Sequence, residues 1–258
     1  MADGEGALSC GDVIQSFLKL STPGAIEETV TVELGGIPQV VTIRGADRSN
    51  PVLLFVHVGP GTPLAPTAWM WQRPIEDFFT IVHYDQRAAG RSHALTDLDT
   101  VRAAMRIKDY VHDAVHLTEW LCRKLGVDQV LLAGHSWGTV IATKAVLARP
   151  DLFTAYLGVG QVVNFRAAEQ SSFDWVLQEA HRHRDEHAIQ ELQSLMPYPG
   201  EGPLDAQKLI TQRRWVTTYG GYAAGRSDCD YFIYGEVTSP DYQGLDQSAA
   251  EEGNLLSF

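Results

Sequence analysis

Residues 28–34, Glu-Thr-Val-Thr-Val-Glu-Leu, alternate apolar and polar positions, the period of a strand buried on one face. Gly35-Gly36 supplies a turn, and Ile37 to Arg44 predicts a second strand returning antiparallel to the first. Beyond Ser49-Asn50-Pro51 the alternation stops. Val52-Leu53-Leu54-Phe55-Val56 is continuously apolar, as in a strand covered on both faces, and Phe79–Tyr84, Val130–Ala133 and Ala155–Val159 follow the same pattern. Ile107, Val111, Ala114, Thr118, Leu121 and Leu125 step by fours and threes, predicting a helix with Arg123 and Lys124 in its last turn and Gly126 as its stop. Trp137 to Arg149 predicts another helix, ended by Pro150. Continuous strands alternating with helices predict a doubly wound α/β core with a mostly parallel sheet.

The character changes after residue 160. Residues 165–196 are helical in pattern and rich in charge, whereas 197–204 hold three prolines and two glycines. No convincing buried strand follows. The expected organisation is an N-terminal segment at 1–24, an α/β core at 25–160, and a mostly helical cap or lid at 161–258.

Composition narrows the partners. Of 258 residues, 45% are apolar, enough to build a core, and 32 acidic residues against 20 basic ones leave a formal charge of −12. A surface of that sign repels phosphate backbones and anionic lipid, so neither nucleic acid nor membrane is an expected partner. No apolar run reaches the ~20 residues of a membrane helix, and the acidic start MADGEGALSCGD lacks the features of a secretion signal. Cys10, Cys122 and Cys229 are widely spaced and match no metal pattern. A cytoplasmic setting, no metal and no cofactor are the expectations.

Gly134-His135-Ser136-Trp137-Gly138 fits G-x-S-x-G, directly after a predicted buried strand and directly before a helix. A nucleophile elbow needs small flanking residues because the serine is held on a tight, strained turn, which raises its hydroxyl above the sheet. The first oxyanion donor would then be the backbone N–H of Trp137. His57-Val58-Gly59-Pro60-Gly61 follows the first continuous strand and would supply the second, from Val58 or Gly59. His57 itself reads as a structural hydrogen-bonder.

Asp85-Gln86-Arg87-Ala88-Ala89-Gly90-Arg91-Ser92 follows the next parallel strand. With these three segments in order, the chain resembles the α/β-hydrolase superfamily and, within it, the proline iminopeptidase-like branch. That branch carries H-G-G-P-G, D-Q-R-G-x-G-x-S and G-x-S-W-G at about this spacing, and the likeness covers roughly residues 25–160. Val58 and Ala88 stand where the family has glycine. The resemblance implies hydrolysis of a small-molecule or short peptide substrate through an acyl-enzyme at Ser136. It also disfavours the dehalogenases and epoxide hydrolases of this fold, whose nucleophile is an aspartate. Iminopeptidases read the substrate amine with cap glutamates, and Glu169, Glu179, Glu186, Glu191 and Glu236 are available for that role.

The family order is Ser, then an acid, then His, yet no histidine follows His187. Gly225-Arg226-Ser227-Asp228 has the spacing of the family acid but no apolar strand before it, and reads as a cap loop. The apolar ending Leu255-Leu256-Ser257-Phe258 looks cut inside an element, so the C-terminal strands, the acid and the base are expected to be missing. His183 and His187 share a helical face at i, i+4, which invites a metal reading. A solvated cap helix accounts for them better, and a displaced base among His181, His183 and His187 stays open. Trp69, Trp71, Trp120, Trp175 and Trp215 read as packing. Two functions remain: a serine hydrolase, or a truncated or degenerate hydrolase that binds without turnover. With its neighbour strand missing, Ala155–Val159 would leave an open apolar edge prone to self-association.

Overall fold

The computed structural model describes residues 9–242 apart from Thr96, Ala103 and Cys229. The chain divides into two compact units, one built from the residues up to Gln161 and from Gly235 onward, the other from Val162–Tyr234. The apolar ending at 255–258 lies outside the described residues.

Among the described residues, a six-stranded sheet organises the first unit. Strands β1 (Ile26–Leu34) and β2 (Ile37–Gly45) pair antiparallel across Gly35 and Gly36, whose φ values of 58° and 78° suit glycine. They are followed by β3 (Val52–Val56), β4 (Thr80–Tyr84), β5 (Val130–His135) and β6 (Phe153–Val159), in the spatial order β1-β2-β4-β3-β5-β6. Strands β3 to β6 run parallel, as their continuous apolar runs predict, and β2 joins β4 antiparallel.

Helices α1 (Cys10–Leu18), α2 (Leu98–Arg102), α3 (Ile107–Leu125) and α4 (Trp137–Ala148) belong to this unit. Helix α3 buries Val111, Ala114, Leu117, Thr118 and Leu121, while Ile107 is exposed, so the packed stripe begins one turn later than its spacing predicts. Gly126 ends α3 in the left-handed region and donates its N–H to the Cys122 carbonyl at 2.9 Å.

The loop after β4 is fastened beneath the surface. Arg87 pairs with Asp113 of α3 through two contacts, one of them Nη2 to Oδ1 at 2.6 Å, and Gln39 of β2 donates to Asp113 Oδ2 at 2.7 Å. The Arg87 and Asp113 side chains are 3% and 1% exposed, so neither charge has water to fall back on.

Two expectations need correction. The run Ala155–Val159 is not covered on both faces: within β6 only Phe153 is buried, and Leu157 and Val159 are exposed. Among the described residues β6 pairs with β5 on one side and with no strand on the other, so its apolar sequence reflects an edge. Nor do His183 and His187 share a helix. Arg184, at φ 56°, ends α5 (Phe165–His183), and Asp185 caps a new helix, α6 (Glu186–Ser194), by accepting from the Ala188 N–H.

The second unit continues with α7 (Ala206–Thr218), and α8 (Asp230–Val237) runs across the boundary. Its core gathers Phe173, Val176, Ala180, Leu192, Tyr198 and Trp215. Gly225–Asp228 is loop here. The segment 235–242, expected with the helical region, belongs to the first unit.

Two outcomes are expected. Asp113→Ala leaves the Arg87 guanidinium buried without its counter-charge and lowers unfolding stability by about 3–5 kcal/mol in urea titrations. The chain self-associates with rising concentration in light scattering, and Leu157→Lys on the open strand reduces that association.

Candidate active site

Ser136 sits between β5 and α4 with φ 51° and ψ −117°, a backbone conformation costing of order 1–3 kcal/mol for a residue with a side chain. The glycines around it make the turn possible. A Cβ at Gly134 would lie 2.7 Å from the Gly138 carbonyl oxygen, and one at Gly138 would overlap the Val56 carbonyl of β3. Helix α4 therefore begins in backbone contact with the neighbouring strand. The Ser136 N–H donates to the Val159 carbonyl at 2.8 Å, so the end of β6 holds the turn as well.

Ser136 occupies the N-cap position, yet its side chain makes no capping bond, and among the described residues none hydrogen-bonds its hydroxyl. Trp137 is the first helical residue, where an N–H has no intrahelical acceptor and the helix dipole favours negative charge. Its indole packs edge-on against Tyr110, with ring centroids 6.1 Å apart.

The loop after β3 is ordered by His57, which is 1% exposed. The Gln86 backbone N–H lies 3.1 Å from His57 Nε2 and can only donate, so Nε2 accepts and the ring proton sits on Nδ1. Nδ1 in turn donates to the Val58 carbonyl at 2.7 Å. Because the C=O and N–H of a trans peptide point in opposite directions, this bond also fixes the direction of the Gly59 N–H. Both ring nitrogens are occupied, so His57 is an organiser of this loop. Val58 keeps a negative φ, so its side chain costs no strain there; Ala88, at φ 55°, carries strain that a glycine would relieve.

Other sequence candidates are engaged elsewhere. In the second unit His183 stacks on Tyr219 and His187 lies edge-on to Trp215. No cluster of three potential metal ligands occurs among the described residues. Glu169 is buried and bound by Arg213 and by Tyr198, whose hydroxyl is 2.6 Å away. Glu179 pairs with Arg182, and Glu191 with Arg214 and the Trp215 indole N–H. Glu186 opens α6. Glu236 belongs to the first unit, and desolvation holds its carboxyl above the usual range. Sequence reasoning passed over Tyr242, which lies in no motif; its hydroxyl reaches both oxygens of Asp85, at 2.5 and 2.7 Å.

Burial pulls His57 down to about 4 and His83 down to about 3, so both remain neutral in the fold where an unfolded histidine is already protonated. The unfolded chain thus binds more protons below its ordinary histidine value of about 6.5, and stability falls with falling pH from there toward pH 4. Urea midpoints measured from pH 7.5 to 4.5 are expected to fall monotonically, and His83→Gln to flatten that slope.

Comparison with known proteins agrees with this architecture. Residues 51–227 match the model of the alpha/beta hydrolase fold. The probable aminopeptidase YbaC of Bacillus subtilis is 37% identical over 145 residues, covering 56% of this chain and 45% of that protein. A proline iminopeptidase of Arabidopsis thaliana is 34% identical over 112 residues, covering 43% of this chain and 26% of its own. Epoxide hydrolase B of Mycobacterium tuberculosis is 29% identical over 115 residues, covering 44% and 29%. A solved proline iminopeptidase-related protein from Thermus thermophilus shares 22% identity at a TM-score of 0.48, covering 84% of this chain and 75% of that one. The chain spans less than half the length of these curated relatives. With more than half of its length matched to the fold's model and the strained turn at Ser136 in place, the chain belongs to the α/β-hydrolase family.

Proposed function

We propose that the protein is a serine hydrolase of the iminopeptidase type, cleaving a small amide or ester through an acyl-enzyme at Ser136. The strained serine at the strand-to-helix turn, with its hydroxyl outside every hydrogen bond among the described residues, carries this reading. A side chain kept on such a turn and withheld from capping is placed for chemistry rather than for helix stability.

In the proposed reaction the Ser136 oxygen forms a bond to the substrate carbonyl carbon, and the carbonyl oxygen takes the electron pair. The Trp137 N–H and a second N–H from Val58 or Gly59 stabilise that oxyanion. Collapse breaks the bond to the amine or alcohol, which leaves with the proton taken from the serine, and water then hydrolyses the ester. Relatives named aminopeptidase and proline iminopeptidase support an amide with a free N-terminal amine as substrate. The serine argues against epoxide opening by an aspartate, although epoxide hydrolases are also among the relatives.

Proton removal needs a base. Among the described residues no histidine reaches the Ser136 hydroxyl: His57 has both nitrogens occupied, and the ring of His135, half-buried beside the serine, makes no hydrogen bond. That observation favours a second reading, a hydrolase fold that binds ligand without turning it over.

A fluorophosphonate probe separates the two. The hydrolase reading expects labelling that disappears in Ser136→Ala together with release of proline arylamides; the reading without turnover expects slow labelling and marginal release, because a triad without its base keeps only a small part of its rate. Labelling equal in wild type and Ser136→Ala overturns the assignment of the nucleophile. Rapid stoichiometric labelling confined to wild type overturns the reading without turnover, and alanine substitution of His181, His183 and His187 then identifies the base.

A further inference from the structure

Residues 235–242 are fastened at both ends to loops of the same unit. At the start of the segment the Trp69 indole N–H donates to the Gly235 carbonyl at 2.8 Å. Trp69 lies in the short helical turn Ala65–Met70, which continues the loop carrying Val58 and Gly59. Tyr242 makes the fastening at the other end. Its hydroxyl meets Asp85, and the Arg91 guanidinium covers its ring 4.5 Å from the centroid.

Asp85 is a fully buried carboxylate and needs every donor it has. The Arg91 backbone N–H and Nε reach Oδ2 at 2.9 and 3.1 Å, whereas the Tyr242 hydroxyl spans both oxygens. The next residue, Gln86, has a buried carboxamide with no hydrogen-bond partner, so its side chain does not anchor it. Its position is held by the backbone: its N–H on His57 Nε2, its carbonyl accepting from the Ala89 N–H at 3.0 Å, and Asp85 before it. His57 then holds the Val58 carbonyl. Charge-assisted and buried hydrogen bonds of this kind orient each successive group in the series.

We propose that Tyr242 is a positioning residue for the Gly59 N–H, acting through Asp85, Gln86 and His57 to set the Val58–Gly59 peptide. The proposal rests on the reading of that loop as an oxyanion site, and it extends the site to a residue 157 positions away in sequence from its partner Asp85. The hydroxyl, not the ring, is the active part.

Tyr242→Phe removes the hydroxyl and keeps the ring under Arg91. Trp69→Phe releases the other end of the segment without touching Asp85. In ¹⁵N-labelled full-length protein, Tyr242→Phe is expected to shift the Gly59 and Gln86 amide signals and to speed solvent exchange of the His57 Nδ1–H, with Trp69→Phe leaving all three as in wild type. Fluorophosphonate labelling of Ser136 is expected to slow about tenfold in Tyr242→Phe, a part of the loss seen when an oxyanion donor is removed outright. Unchanged His57 and Gly59 signals in Tyr242→Phe overturn the proposal, as does an equal change in Trp69→Phe, which would mark general loosening. Signals that move with no labelling in wild type support the positioning route and count against the serine reading alone. If Tyr242→Phe does not fold, Asp85→Asn, which keeps the shape and removes the charge, is read by the same signals with the same expected direction.

Discussion

Everything at the site depends on how closely α4 approaches the sheet. The helix begins against the backbone of β3, and a single added carbon at Gly138 would overlap the Val56 carbonyl. That approach leaves room for one kind of turn between β5 and α4, and the turn forces Ser136 to positive φ. The strain at the serine is sustained because the surroundings leave no alternative: Val159 takes its N–H, Gly134 and Gly138 remove two Cβ atoms, and Ile141, Ala142 and Ala145 bury the helix behind it.

A second layer of order comes from the loop after β4, where Asp85, Arg87 and Ser92 hold different elements. Asp85 gathers Arg91 and Tyr242, Arg87 reaches α3, and Ser92 donates to the Asp85 carbonyl at 2.6 Å while accepting the Val40 N–H of β2 at 2.8 Å. The charged groups among them, Asp85, Arg87 and Arg91, each have a partner, the condition under which burying charge rigidifies a loop rather than destabilising it, while the Gln86 carboxamide is left without one. The rigid loop in turn presents the Gln86 N–H to His57. The loop's contribution is therefore mechanical, and its aspartate is spent on structure.

The core was legible in the sequence because its signals are local. The continuous runs at Val52–Val56 and Val130–Ala133 report burial on both faces, and the glycines of the elbow report a backbone conformation. β6 misled for a physical reason: an apolar run records which residues tolerate burial, and an edge strand can carry one while Leu157 and Val159 stay exposed. The break at Arg184 was hidden because charged helical pattern runs through it without glycine or proline, and the turn is made by an arginine at positive φ. Tyr242 was illegible because nothing in its neighbours reports a partner such as Asp85, so far away in the chain.

The position of Tyr242 also orders events during synthesis. The six strands among the described residues, and Ser136, lie before residue 160, so that sheet and its strained turn can assemble while the ribosome is still translating the second unit. Tyr242 emerges later, after the second unit has been made. Until then Asp85 has Arg91 but no phenol, and the nascent protein carries its serine beside a loop that has not yet been locked. The strained turn is therefore built first, and the last buried contact of the Asp85 loop is made only once residue 242 has been translated.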